Sequence, residues 1–400
     1  MTNESKNSGC DAHDDDLLAS CVHCGFCLEV CPTYKLTGDE NNSPRGRLRL
    51  WREEAEGRLP VDPWTDFYTQ ECVGCLACES ACPANVPYGK IFERVKHEHV
   101  VAHRGHPGFS LRLAAVLARR PFLFNLALWP IRVLRRFGLI SHPFLFEGKP
   151  AGIKSSAAYA AELMALKRPT GPRVALLTGC LMESLFREIN YATIRVLIEN
   201  NVQVVVPSNQ TCCGAFQEHT GLSGVDTLQE QNRKAFRAQD VDVVVSNSSG
   251  CGLALGKSLQ GEVRVCDVLS FLGEIGPVSR AKRPGDARVY VDLPCHLIHG
   301  QKAPGIPTNV LEATGYRWEL APQARDCCGS GGVYNIQKPE NSRKILAGKS
   351  AFLNDAAGDP VILATSNHVC MMQWNSAGST GLVKRPYQVR HVIQLLDPDA

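Results

Sequence analysis

The chain has 400 residues, 44% of them hydrophobic and 21% charged, with 18 cysteines and a formal net charge of +3. That is enough apolar material for two or three domains with ordinary cores, and too little net charge to give the electrostatic footprint of a nucleic-acid binder. No run of about 18 apolar residues is present to span a membrane. The polar opening, residues 1–16, lacks the apolar stretch of a signal peptide, so the cysteines read as reduced, cytoplasmic metal ligands rather than as a disulfide framework.

Residues 1–15, with Cys10, read as a disordered leader. Residues 16–95 carry one cysteine pattern twice: Cys21-x-x-Cys24-x-x-Cys27-x-x-x-Cys31-Pro32, and Cys72-x-x-Cys75-x-x-Cys78-x-x-x-Cys82-Pro83. The offset is the same at both ends (72 − 21 and 82 − 31). Two residues between thiolates let a tight loop present three sulfurs to one small centre. Gly25 and Gly74 supply backbone freedom within the loops, and the proline stiffens the exit. The spacing resembles that of bacterial two-cluster ferredoxins, where the fourth cysteine reaches across to the other cluster. The resemblance implies two [4Fe–4S] clusters, one on Cys21, Cys24, Cys27 and Cys82, the other on Cys72, Cys75, Cys78 and Cys31. Structural zinc, the alternative, normally takes its thiolates as two separated pairs.

Residues 96–170 form a basic helical linker. No acidic residue lies between Glu98 and Glu147, while Arg104, Arg112, Arg119, Arg120, Arg132, Arg135 and Arg136 alternate with apolar blocks such as residues 121–129. Such a stretch suits the surface of a membrane or a partner subunit. The plainer expectation is a linker that packs its apolar face on its own protein and leaves its arginines in water.

From Gly171 the chain repeats itself. Residues 173–180, ending in Cys180, match 288–295, ending in Cys295, and Cys212-Cys213-Gly214 matches Cys327-Cys328-Gly329, the offset being the same in both (295 − 180 and 327 − 212). Ser246-Asn247 before Cys251 matches Ser366-Asn367 before Cys370. This predicts two copies of one domain, residues 171–285 and 286–400. Short runs at Val174 to Leu177, Val202 to Val206, Val241 to Val245, Val289 to Val291 and Val361 to Leu363 alternate with helical stretches such as Met182 to Glu199, which predicts α/β sheets. The key cysteines fall just after strands or at helix starts, where N–H groups stabilise thiolates.

Each copy brings four thiols: Cys180, Cys212, Cys213 and Cys251, then Cys295, Cys327, Cys328 and Cys370. Four soft ligands at strand ends suit a further iron–sulfur cluster; buried apolar cysteines or a redox-active thiol pair are the alternatives. The pattern resembles the CCG cysteine-rich domain of heterodisulfide reductases and of glycolate, lactate and anaerobic glycerol-3-phosphate dehydrogenases. The C-x-x-C that closes it in heterodisulfide reductase is broken here, at Ser248-x-x-Cys251 and Asn367-x-x-Cys370. Cys266 reads as a core residue. His296 and His391 are candidates to protonate a substrate or quinone, though an ordinary hydrogen-bonded histidine is the plainer reading.

The expected fold is therefore a mixed α+β and α/β multidomain chain, a helical ferredoxin-like module followed by two α/β CCG domains. That architecture, together with Ser43-Pro44-Arg45-Gly46-Arg47, resembles the family of iron–sulfur subunits of bacterial glycolate oxidases (glycolate dehydrogenases). The resemblance implies flavin-binding partner subunits that oxidise glycolate to glyoxylate. This chain would carry electrons towards a quinone-type acceptor, in the cytoplasm or peripherally on the inner face of the membrane. Lactate or glycerol-3-phosphate dehydrogenase subunits and a thiol–disulfide reductase are the rival readings. No flavin fingerprint is present: Gly329-Ser330-Gly331-Gly332 follows the vicinal cysteines and does not form a G-x-G-x-x-G turn. Clusters move single electrons, so the flavin that accepts a hydride belongs to another chain.

Overall fold

The computed structural model describes residues 17–60, 62–102, 107–137, 139, 152, 154–279, 281 and 285–399. The expected leader, Cys10 and Arg104 lie outside these residues. Chain contacts divide the protein into two compact units, Met1–His106 and Pro107–Ala400.

The first unit is helical, its described residues including helices Pro32–Thr37, Pro44–Ala55, Pro63–Gln70, Ala77–Ser80 and Tyr88–Val101 and a 3-10 turn, Glu40–Asn42. Prolines open three of them, where a missing N–H costs nothing. Leu48, Trp51, Val86, Tyr88, Ile91, Phe92 and Val95 form the core. Its aromatic centre is Trp51, 5.6 Å from Tyr88 and 6.3 Å from Phe92 between ring centroids. The two cysteine loops have the same backbone. Each has left-handed residues at its third and fifth positions: His23 (φ 55°) and Gly25 (φ 90°) in the first, Gly74 (φ 71°) and Leu76 (φ 63°) in the second. Each loop has glycine at only one of these places, so His23 and Leu76 adopt a conformation that side chains disfavour.

The second unit holds two four-stranded sheets. Strands β1 (Arg173–Leu177), β2 (Gln203–Val205), β3 (Val243–Ser246) and β4 (Arg264–Asp267) lie in the order β2-β1-β3-β4. Strands β5 (Arg288–Val291), β6 (Arg317–Leu320), β7 (Val361–Thr365) and β8 (Gln388–His391) repeat it as β6-β5-β7-β8. All pairs are parallel; Val174 sits between Val204 and Val243, and Val289 between Trp318 and Ile362. The inner strands β1, β3, β5 and β7 are buried along nearly their whole length, as parallel strands covered by helices on both faces must be. One apolar core contains residues of both copies, among them Leu176, Ile194, Leu269, Val291, Leu363 and Trp374. Arg195 adds an ion pair to Asp397 from the other end of the unit.

Three expectations need revision. The helix predicted over 182–199 is two helices, Cys180–Leu185 and Arg187–Glu199, broken at Phe186 (φ −126°, ψ 33°). Edge strand β6, Arg-Trp-Glu-Leu, has no apolar run because three of its four residues are exposed. The linker is the third. Helices Phe109–Ala118 and Pro121–Arg136 turn Arg135 inward, where it donates to Leu185 O (2.9 Å) and Glu188 (3.1 Å), whereas Arg112, Arg119 and Arg120 are exposed, Arg119 donating to Ser223 O. Phe124 and Ala118 pack on Cys212 and Leu228, while Phe109, Leu113, Val116, Phe122, Leu126 and Trp129 face outward. Arg112, Arg119 and Arg120 thus lie outward as expected and Arg135 does not, while the apolar residues divide between the two sides.

Candidate functional site

In the first unit the two cysteine loops enclose two cavities. One is lined by Cys21, Cys24 and Cys27 of the first loop and by Cys82 of the second. The other is lined by Cys72, Cys75 and Cys78 of the second loop and by Cys31 of the first. Cys78 also reaches the first cavity, and Tyr88 and Pro44 border both. Among the described residues neither cavity has a carboxylate in its wall. No three His, Cys, Asp or Glu side chains of the described residues close on a point that one ion would fill. The thiols surround volumes instead.

The second cavity is the more buried. Cys72 Sγ accepts from the Gly74 N–H (3.4 Å) and the Tyr88 hydroxyl (3.5 Å), and Cys31 Sγ lies 3.3 Å from Thr33 Oγ1. Burial pushes the Cys72 and Cys78 thiols up, and for Cys78 the sulfurs of Cys75, Cys72 and Cys31 push further. Sulfurs crowded this closely ionise together only when a cation takes up their charge. The donor set, at least four soft thiols about each space with Cys78 bordering both, fits iron–sulfur clusters.

In the second unit both cysteine quartets lie at the carboxyl ends of β-strands. Cys180 opens the helix after β1 and Cys251 is third in the helix after β3, so they straddle the point where strand order reverses; Cys295 and Cys370 do the same after β5 and β7. That crevice is the usual ligand position in an open parallel sheet. Cys180 Sγ donates to Cys212 Sγ at 3.5 Å, and Cys213 is in hydrogen-bond reach of Cys212 and Cys251. In the second copy Cys328 is bonded by Cys327 and Cys370, with Cys295 close to Cys370. These bonds hold Cys212 and Cys328 well below the usual thiol range, and Lys349 adds to the effect at Cys328.

The two residues at the broken C-x-x-C positions meet. Ser248 Oγ donates to Asn367 Oδ1 (3.0 Å), and Asn367 Nδ2 donates to Cys370 Sγ (3.3 Å). With the Ser248 proton so engaged, His368 Nδ1, 3.1 Å from Ser248 Oγ, must be the donor there. His219 and His296 stack at 5.3 Å between the copies.

Sequence reasoning missed a buried pair in the second copy. Lys349 Nζ lies 2.5 Å from Asp292 Oδ1, both side chains at most 2% exposed. Trp374 Nε1 donates to Asp292 Oδ2 at 2.8 Å. Burial pushes Asp292 up to about 6 against the pull of Lys349. Lys349, which burial alone would lower, is held up by Asp292 and the Cys328 sulfur. The signal was present in the repeat, since Leu177 stands in the first copy where Asp292 stands in the second.

Cys266 is a buried residue of the core, as expected, with its thiol pushed up to about 12 by burial. His391 is fully buried; its Nδ1 accepts from the Ile393 N–H, so Nε2 donates to Asn247 O at 3.0 Å. Burial pushes it from 6.5 down to about 4, so it carries no spare proton near neutrality and its role is a structural bond between the copies. A histidine held neutral in the fold contributes stability above its unfolded value and loses it as pH falls towards the folded value. The wild type is therefore expected to lose up to ~3 kcal/mol more than His391→Asn between pH 6.5 and 4 in urea unfolding. Parallel curves for the two proteins would contradict this.

The 4Fe-4S dicluster domain family matches residues 17–86, and the cysteine-rich domain family matches 174–256 and 289–375. The glycolate oxidase iron-sulfur subunit of Escherichia coli K12 is 30% identical over 419 residues, covering 99% of this chain and 98% of that protein. The "Probable glycolate oxidase iron-sulfur subunit" of Bacillus subtilis 168 is 30% identical over 397 residues, covering 90% of this chain and 89% of its own. Lactate utilization protein A of Geobacillus thermodenitrificans is 25% identical over 243 residues, 56% of this chain and 98% of that protein. With the paired cysteine loops and the two CCG quartets in place, and similarity running end to end, the chain belongs to the family of glycolate oxidase iron–sulfur subunits.

Proposed function

We propose that this chain is the electron-transfer subunit of a glycolate-oxidising complex, and that it holds two [4Fe–4S] clusters. Cys21, Cys24, Cys27 and Cys82 would bind one, and Cys72, Cys75, Cys78 and Cys31 the other. The observation that carries this reading is that Cys82 of the second loop joins all three leading thiols of the first loop about one cavity, and Cys31 of the first loop joins all three of the second about the other, with Cys78 in the wall of both. Bound there, the clusters would supply one-electron transfer. The protein's part is to hold the thiols, keep the second cavity dry and donate hydrogen bonds to sulfur.

Flavin-binding subunits would take the hydride from glycolate, and a quinone-type acceptor would receive the electrons. Glycolate is favoured over lactate because similarity to the glycolate oxidase subunits spans this chain, whereas the lactate relative covers only 56% of it. A thiol–disulfide reductase is less well supported, since Ser248 and Asn367 replace a thiol in each copy. No helix among the described residues is long and apolar enough to cross a membrane. The outward row of Phe109, Leu113, Val116, Phe122, Leu126 and Trp129 supports peripheral attachment to the cytoplasmic face of the membrane.

The complex purified with its native partners tests the assignment. It should reduce a soluble dye with glycolate and bind anionic vesicles, while this chain alone should do no glycolate oxidation. Phe122→Glu with Trp129→Glu should release the complex from vesicles and leave dye reduction intact. Partners that oxidise lactate or glycerol 3-phosphate but not glycolate would overturn the substrate. Loss of the flavoproteins with vesicle binding retained would make this face a subunit interface.

A further inference from the structure

The motif Ser43-Pro44-Arg45-Gly46-Arg47 starts the helix that runs between the two cavities. Ser43 Oγ caps it by accepting from the Gly46 N–H at 3.0 Å, and Pro44 takes the first helical position. Gly46 is required by close approach, since a Cβ there would lie 1.9 Å from Glu40 O. Residues two apart on a helix point to nearly opposite sides. Arg45 accordingly lines the cavity of Cys21, Cys24 and Cys27, and Arg47 lines that of Cys31, Cys72, Cys75 and Cys78.

The two arginines have opposite electrostatic settings. Arg45 is partly exposed and paired with Glu40, Nε to Oε1 at 2.6 Å and Nη2 to Oε2 at 3.2 Å, so its charge is largely cancelled. Arg47 is 1% exposed. It donates to three neutral oxygens: Tyr68 O (2.7 Å), Thr33 Oγ1 (3.2 Å) and Asn42 Oδ1 (3.3 Å). Thr33 Oγ1 in turn touches Cys31 Sγ. Burial opposes the Arg47 charge, and the groups beside it are Tyr88, Cys72 and Cys31, with no carboxylate among them. A buried guanidinium without a carboxylate is costly unless some other anion compensates it.

We propose that Arg47 sets the reduction potential of the cluster at Cys31, Cys72, Cys75 and Cys78, as a fixed buried cation that favours its reduced form. The inference rests on the two-cluster reading above. One-electron reduction adds a negative charge to a centre already ringed by thiolates. A permanent positive charge in a poorly screened interior therefore stabilises the reduced state and raises the potential. Arg45, neutralised by Glu40, exerts little such pull on the other cluster.

The test is an EPR-monitored redox titration of the full chain after anaerobic cluster reconstitution. Arg47→Gln should lower the midpoint potential of one cluster, the one lost in Cys75→Ser, and leave the other unchanged. Arg47→Lys should stay near the wild-type value, and Arg45→Gln should not move that cluster. Should Arg47→Gln fail to fold, Asn42→Asp decides, because it sets a carboxylate of nearly the same size on the guanidinium; it should lower the same potential. Variants that hold both clusters with neither potential moved, or with both moved equally, would overturn the proposal. A wild-type chain that takes up no cluster would remove the reading beneath it, a result distinguishable by iron content alone.

Discussion

Cys82→Ser is expected to destroy the cluster whose other three ligands lie in the first cysteine loop, 55 to 61 residues upstream in the chain (82 − 27 and 82 − 21). Cys82 lines the cavity of Cys21, Cys24 and Cys27 and is absent from the wall of the other, which Cys31 completes. Anaerobically reconstituted wild type should carry about eight iron and about eight sulfide per chain from this module, and the variant about half of each. The cluster that survives should be the one removed by Cys31→Ser, so the two variants should show complementary spectra. Loss in Cys82→Ser confined to the cluster of Cys72, Cys75 and Cys78 would reverse the pairing. A colourless, zinc-filled protein would end the cluster reading.

Lys349→Met is expected to cost ~3–5 kcal/mol in urea unfolding, the usual consequence of leaving one member of a buried ion pair alone. Its partner Asp292 is 1% exposed and receives the Trp374 N–H, so its carboxylate has no route to water. The double variant Asp292→Leu with Lys349→Met makes the second copy apolar at this point, as Leu177 already makes the first. It should recover part of the loss, and fall short by the ~1–3 kcal/mol of an unsatisfied buried Trp374 donor and by the bonds Lys349 gives to Ala324 O and Asp326 O. A single-variant cost below ~1 kcal/mol would show the pair to be unimportant for the fold. The pair also places an ammonium beside Cys327 and Cys328, whereas the groups acting on Cys212 and Cys213 are other cysteines and the backbone, so the two CCG sites differ in charge despite their common pattern.

The repeated elements were legible in the sequence because spacing is a local property. The cysteine runs at 21–31 and 72–82, the CCG pairs and the β-branched runs of the inner strands are each set by neighbours along the chain, as is the family resemblance built on them. Edge strand β6 and the break at Phe186 were not legible, since pairing to β5 and packing decide them rather than periodicity. Tertiary structure alone decided which residues meet at distance. It set Arg47 in the wall beside Cys31 and Cys72, turned Arg135 of the linker inward, and joined Lys349 to Asp292 and Ser248 to Asn367. A sequence pattern records what each residue can do chemically. Whether a charge is cancelled, as at Arg45, or left to act on a neighbouring site, as at Arg47, depends on burial and on partners brought in by the fold.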